Sequence, residues 1–141
     1  MNIDSIKNGL VIDHIKAGKA MDIYRDLNLE SLDCQIAIIK NASSKRMGKK
    51  DIIKIAAELE IDVDALGYID PDITVNIIKN DKNVKKMHPG LPQTVVDIIK
   101  CSNPRCITSV EQEIQHIFKL TDKTTGTYRC IYCDSLPKRN D

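Results

Sequence analysis

Four of the five cysteines fall in two close pairs near the C-terminus, Cys101-Ser-Asn-Pro-Arg-Cys106 and Cys130-Ile-Tyr-Cys133, with 23 residues between the pairs. Each pair is short enough to sit on one tight turn, and two facing turns supply four sulfurs to a single tetrahedral centre. Soft thiolates suit Zn2+, whose filled d shell imposes no geometry of its own; iron is the lesser alternative for the same donors. Four protein ligands leave no position for water or substrate, so the expected ion is structural, one Zn2+ per chain, and takes no part in hydrolysis.

The surroundings of these cysteines make the metal matter for folding. From residue 93 onward there is one phenylalanine, Phe118, and too little apolar side chain to build a strong core in some fifty residues. Binding of zinc, worth about 10–16 kcal/mol in finger peptides, is enough to decide whether such a module folds. The fifth cysteine, Cys34, lies in an apolar run and reads as a small buried hydrophobe.

Other chemistries find little support. His14, His88 and His116 are scattered, and there is no glycine-rich phosphate loop or nucleophile–base pair, which argues against an enzyme in its own right. The net charge is +1, and residues 93–141 carry seven Lys or Arg against six Asp or Glu. A zinc-ribbon nucleic-acid binder, the alternative function, would want a basic face and stacking rings, and the near-neutral second module and scarce aromatics argue against it. The N-terminus shows no charged segment leading into an apolar core, and no run reaches the roughly 18 apolar residues of a membrane span. The expectation is a soluble, cytoplasmic protein with no membrane or nucleic-acid partner, in a compartment where clustered cysteines bind metal.

The elements that position these residues fall into two modules, 1–92 and 93–141, separated by His88-Pro89-Gly90-Leu91-Pro92. Leu10 to Ile15 is a β-branched run of strand length, and Ala20, Ile23, Tyr24 and Leu27 mark a first helical stripe over 19–29. Cys34 to Ile39 reads as a second strand. Ile52, Ile55, Ala56 and Leu59 recur at helical spacing and predict a second helix to about residue 60. Val63 to Ile69 reads as a strand, Ile73 to Ile78 as a two-faced strand, and Asn80-Asp81-Lys82-Asn83 as a hairpin turn into a last strand over 84–87. In the second module, 107–120 and 127–131 are expected to be strands or extended segments. The fold class is α+β: a mainly antiparallel sheet with two helices on one face, ferredoxin-like, followed by a small all-β zinc-binding domain.

Several strings in one order carry a resemblance: Ile3-Asp-Ser-Ile-Lys7, Gly9-Leu-Val-Ile-Asp-His-Ile15, Met47-Gly-Lys-Lys-Asp-Ile-Ile-Lys-Ile55, Pro71-Asp-Ile-Thr-Val-Asn-Ile-Ile78, then the two cysteine pairs. Together they resemble the regulatory chain of aspartate carbamoyltransferase over nearly the whole length. The resemblance implies a non-catalytic subunit of de novo pyrimidine biosynthesis. Its residues 1–92 would bind nucleoside triphosphates, with CTP inhibiting, ATP activating and UTP acting beside CTP. Its residues 93–141 would hold zinc and contact the catalytic chain. It also implies a regulatory-chain homodimer and a heterododecamer of two catalytic trimers and three regulatory dimers.

The nucleotide site implied by the resemblance comprises Ser5 and Ile6, Val11, Asp13 and His14 of the first strand, Lys54 in the expected second helix, Asn76 and Ile78, and Lys86. Within that reading Lys54 and Lys86 serve phosphate and ribose oxygens, the backbone near Ser5 and Ile6 reads the base, and His14 meets phosphate. Read from the residues alone, these positions have plainer roles. Lys50, Lys54 and Glu58 repeat every four residues like a solvated helix face, Lys86 could protect an edge strand, and His14 and Asn76 could be ordinary sheet residues. The hairpin Asn80–Asn83 is wholly polar, where this family can place an aromatic and an aliphatic residue beside the nucleotide.

Overall fold

The computed structural model describes residues 6–138. The chain divides into two compact units, 1–90 and 91–141.

The first unit runs β1 (Gly9–Lys16), α1 (Ala20–Asp26), a 3-10 turn (Leu29–Ser31), β2 (Ile36–Ser44), β3 (Gly48–Ile55), α2 (Val63–Ile69), β4 (Thr74–Lys79) and β5 (Lys82–Met87). The strands form one antiparallel sheet in the order β2-β3-β1-β4-β5. Leu10, Ile12, Ile15, Ile53, Ile55 and Val75 project from one sheet face onto Ala20 and Ile23 of α1 and Leu66 of α2, so both helices cover the same face. The βαββαβ order with these neighbours is the ferredoxin-like arrangement, extended by β5.

Two elements differ from the sequence reading. The segment over 48–55 is strand β3, not a helix, and Val63–Ile69 is helix α2, not a strand. In β3 the buried residues are Asp51, Ile53 and Ile55, a period of two, and Ile52 belongs to the opposite face. Ile52 and Ile55 fit a helical spacing while Ile53 and Ile55 fit a strand face, and β-branching tips the segment toward strand. Helix α2 starts where Asp62 accepts a hydrogen bond from the Ala65 N–H at 3.1 Å, an N-cap. Inside α2, Gly67 is needed because a Cβ there would lie 2.0 Å from the Gly90 carbonyl oxygen.

Two bulges shape the sheet. Ile12 pairs with Ile53 and Ile15 with Asp51, so β1 carries one extra residue between them, and His14 takes φ of 57° there. Without that residue Ile12 and Ile15 would face opposite sides; with it both are fully buried. In β2 the extra residue falls at Asn41, φ 58°. The fully buried Asp51 carboxylate ties both regions together, accepting from Gly18 N (2.9 Å), Ala20 N (3.2 Å) and Asn41 N (3.0 Å).

The second unit holds a three-stranded antiparallel sheet, β6 (Thr94–Val96), β7 (Ile117–Asp122) and β8 (Thr127–Cys130), in the order β6-β7-β8. Mostly β as expected, it also contains a four-residue helical turn, α3 (Ile107–Val110), inside the segment read as extended. Val95, Phe118 and Cys130 stand in one cross-strand row, so the small core and the cysteine cluster are continuous.

Candidate functional site

The sulfur atoms of Cys101, Cys106, Cys130 and Cys133 all lie within 4.8 Å of one another. The Cys101 and Cys133 sulfurs are 3.5 Å apart, and those of Cys106 and Cys130 are 3.7 Å apart. A tetrahedron with Zn–S bonds of about 2.3 Å has edges of about 3.8 Å, so these sulfurs already stand at the spacing of a zinc centre. Each cysteine is held by local structure. Cys106 is the N-cap residue of α3, and its carbonyl accepts from Ser109 and Val110 N–H. Cys130 ends β8, and its carbonyl accepts from Asp134 N–H, closing the turn that brings Cys133 back. Cys101 pairs with Pro137 of the returning tail.

Thiolate electrostatics explain why a cation belongs here. Burial pushes the Cys101 thiol up to about 12 and also raises Cys130. A hydrogen bond from Ser135 brings Cys133 down to about 6, and the Thr108 hydroxyl, 3.2 Å from the Cys106 sulfur, lowers Cys106. Four crowded sulfurs cannot all ionise without a compensating divalent charge. With one, all become thiolates, and the Thr108 O–H and the Asn103 N–H, 3.4 Å from the Cys101 sulfur, orient two of them. The donor set therefore fits a closed, structural zinc site.

The first unit presents a second constellation, on the sheet face away from the helices. Val11 pairs with Lys54 of β3 on one side and Asn76 of β4 on the other, and Asn76 pairs with Lys86 of β5. Lys54, Val11, Asn76 and Lys86 thus form one cross-strand row, about 14 Å long at the usual inter-strand spacing. Lys54 stands in the row because it lies on a strand; the expected helix would not have placed it there. Ile78 lies two residues from Asn76 on the same face, opposite Gly9. Gly9, at φ 154°, lets β1 begin this close to β3, where a Cβ would lie 2.0 Å from the Ile55 carbonyl oxygen.

Asp13 and His14 flank the row. The Asp13 carboxylate accepts from Lys50 Nζ at 3.0 Å and from the His14 N–H at 2.6 Å. Burial alone would raise this carboxyl, but those two hydrogen bonds and the nearby charges outweigh it and hold Asp13 below its ordinary value. His14 Nδ1 is 3.0 Å from the Thr74 hydroxyl, which sets the ring. Ile6 is half-buried just ahead of β1, and Ser5 lies outside the described residues.

Lys50 and Thr74 were not singled out as site residues from the sequence. Had 48–55 been read at period two, Lys50, Ile52 and Lys54 would have shared one face, and Lys50 would have joined Lys54 as a candidate. No comparable signal marks Thr74, whose partner is sixty residues away.

A sheet face carrying lysines, in a chain whose second unit holds a closed thiolate centre, defines a two-part protein with a ligand-facing sheet domain and a metal-binding domain. Comparison with known proteins gives that class its family. Residues 1–90 match the family described as aspartate carbamoyltransferase regulatory chain, allosteric domain, and residues 93–141 match its metal binding domain. The aspartate carbamoyltransferase regulatory chain of Clostridium botulinum (strain Hall) is 50% identical over 141 residues, covering 100% of this chain and 97% of the relative. That of Clostridium acetobutylicum is 52% identical over 138 residues, 98% of this chain and 94% of the relative. That of Bifidobacterium longum is 41% identical over 138 residues, 98% and 99% respectively. The chain belongs to the aspartate carbamoyltransferase regulatory-chain family. Among the described residues no helix is long and apolar enough to cross a membrane.

Proposed function

We propose that residues 1–92 bind nucleoside triphosphates on the open sheet face and that residues 93–141, clamped by zinc on Cys101, Cys106, Cys130 and Cys133, dock onto the catalytic chain of aspartate carbamoyltransferase. The observation that carries the nucleotide half is the Lys54–Val11–Asn76–Lys86 row, which lines up two lysines and an amide with an apolar residue across neighbouring strands. That combination suits phosphate and ribose oxygens lying over a partly apolar floor. Asp13, His14, Ile78 and the N-terminal Ser5 and Ile6 complete the site, with Lys50 and Thr74 holding Asp13 and His14 in place. CTP, ATP and UTP are the ligands; each shifts the assembly through its different affinity for two quaternary states.

The docking half rests on where the apolar surface lies. Ile107 and Val110 follow Cys106, Ile131 and Tyr132 sit between Cys130 and Cys133, and Leu136 precedes the tail residue that pairs with Cys101; all five are exposed. Exposed apolar side chains gathered around a structural metal suit a protein interface. Beside Ile131 and Tyr132, Lys119 stands directly opposite Arg129, a like-charge pair that an acidic partner group would neutralise.

The regulatory-chain homodimer has a ready edge. On the β5 side Lys82, Lys85 and Lys86 discourage pairing, whereas β2 offers nine residues that start Ile36-Ala37-Ile38-Ile39. Two catalytic trimers and three such dimers make the cytoplasmic assembly. Calorimetric titration of CTP and ATP into the complex, with aspartate saturation curves, tests the reading. Saturable binding with displaced curves is expected; no heat with any nucleotide contradicts it.

A further inference from the structure

The polar hairpin between β4 and β5 does more than turn the chain. Its Asn80 N–H donates to the Asn8 side-chain oxygen at 3.2 Å, and its Asp81 N–H donates to the Lys7 carbonyl at 3.0 Å. The tip is therefore strapped to the segment that joins Ile6 to β1. At its far side β5 is bulged. Lys85 pairs with Ile77 and Asn83 with Ile78, so Val84 is the extra residue. Along a regular strand Asn83 and Lys86, three residues apart, would face opposite sides; the bulge brings Asn83 to the open face with Lys86 and Asn76. There its Nδ2 donates to Asn76 Oδ1 at 2.9 Å.

This bond fixes which end of the Asn76 amide is available. With Oδ1 engaged by Asn83, the Nδ2 hydrogens are left to face a ligand. Lys54 and Lys86, on either side in the row, also offer only donors. We propose that Asn83 is a positioning residue that sets Asn76 as a donor, so that the row recognises acceptor atoms of a nucleoside triphosphate, its phosphate, ribose or base-carbonyl oxygens. The proposal rests on the nucleotide reading above and adds to it the orienting of Asn76 by Asn83.

The test is a double-mutant cycle by calorimetric titration of CTP and ATP into the assembled complex, using Asn83→Leu, Asn76→Ala and the pair together. Asn83→Leu keeps the side-chain size, sits on an exposed strand, and should leave the melting temperature unchanged. Loss of an orienting hydrogen bond should weaken binding about three- to tenfold. Because Asn83 acts through Asn76, the double variant should bind within about twofold of Asn76→Ala alone. Unaltered affinity in Asn83→Leu, or a loss that persists in the Asn76→Ala background, overturns the proposal while the nucleotide reading stands. If the wild-type complex binds neither nucleotide, both fall together.

Discussion

The sulfurs of Cys101, Cys106, Cys130 and Cys133 are only half of what holds the ion; the groups that donate to them are the other half. Thr108 is buried, and its hydroxyl reaches the Cys106 sulfur at 3.2 Å, so Thr108→Val removes a donor without changing size. Chelator competition should show zinc held about tenfold less tightly. In the other unit, Lys54→Ala removes one of the two ammonium groups of the proposed nucleotide site, and loss of a charge-assisted hydrogen bond of about 1.5–3 kcal/mol should weaken CTP binding at least tenfold in a calorimetric titration. Asp13 makes a pH prediction. Its folded value is held below the ordinary carboxylate range, so its contribution is fully present above that range and is lost as pH falls through the lowered value. Urea midpoints measured from pH 6 to pH 3 should therefore decline less steeply in Asp13→Asn than in the parent chain.

Strand β3 is where sequence and structure part, and it shows what local pattern can and cannot carry. Ile52 and Ile55, with Ala56 and Leu59, satisfied a helical stripe while Ile53 and Ile55 satisfied a strand face, and pairing with β1 and β2 decides between them. Such pairing is non-local, so a one-dimensional reading had no access to it. By contrast, β1, β4 and the hairpin after it were legible because alternation and turn residues are local, and the cysteine pairs were legible because their spacing alone fixes two turns. Helix α2 carried a local signal that was overlooked, the Asp62 N-cap three residues before Ala65. Two substitutions probe how these elements interlock. Gly67→Ala forces a methyl against the Gly90 carbonyl and should destabilise the first unit by about 1–3 kcal/mol. Asp51→Ala strands three backbone donors and should cost about 3 kcal/mol or more, since each buried unsatisfied donor costs about 1–3 kcal/mol. Denaturant unfolding measures both.

The chain has two units with separate cores; in the proposed function one binds nucleotides and the other docks onto the catalytic chain. Among the described residues the zinc unit has little core beyond Val95, Phe118, Leu120 and Tyr128, so the proposed docking residues should keep their places only while a metal holds the turns. The sheet unit has its own buried cluster, which contains no metal ligand. Zinc loss should therefore abolish assembly and leave nucleotide binding intact. Sedimentation velocity of catalytic trimers mixed with the zinc-stripped chain tests this most directly. Free trimers, with the full-size complex restored on adding Zn2+, are the predicted result; a full-size complex formed without zinc would contradict it.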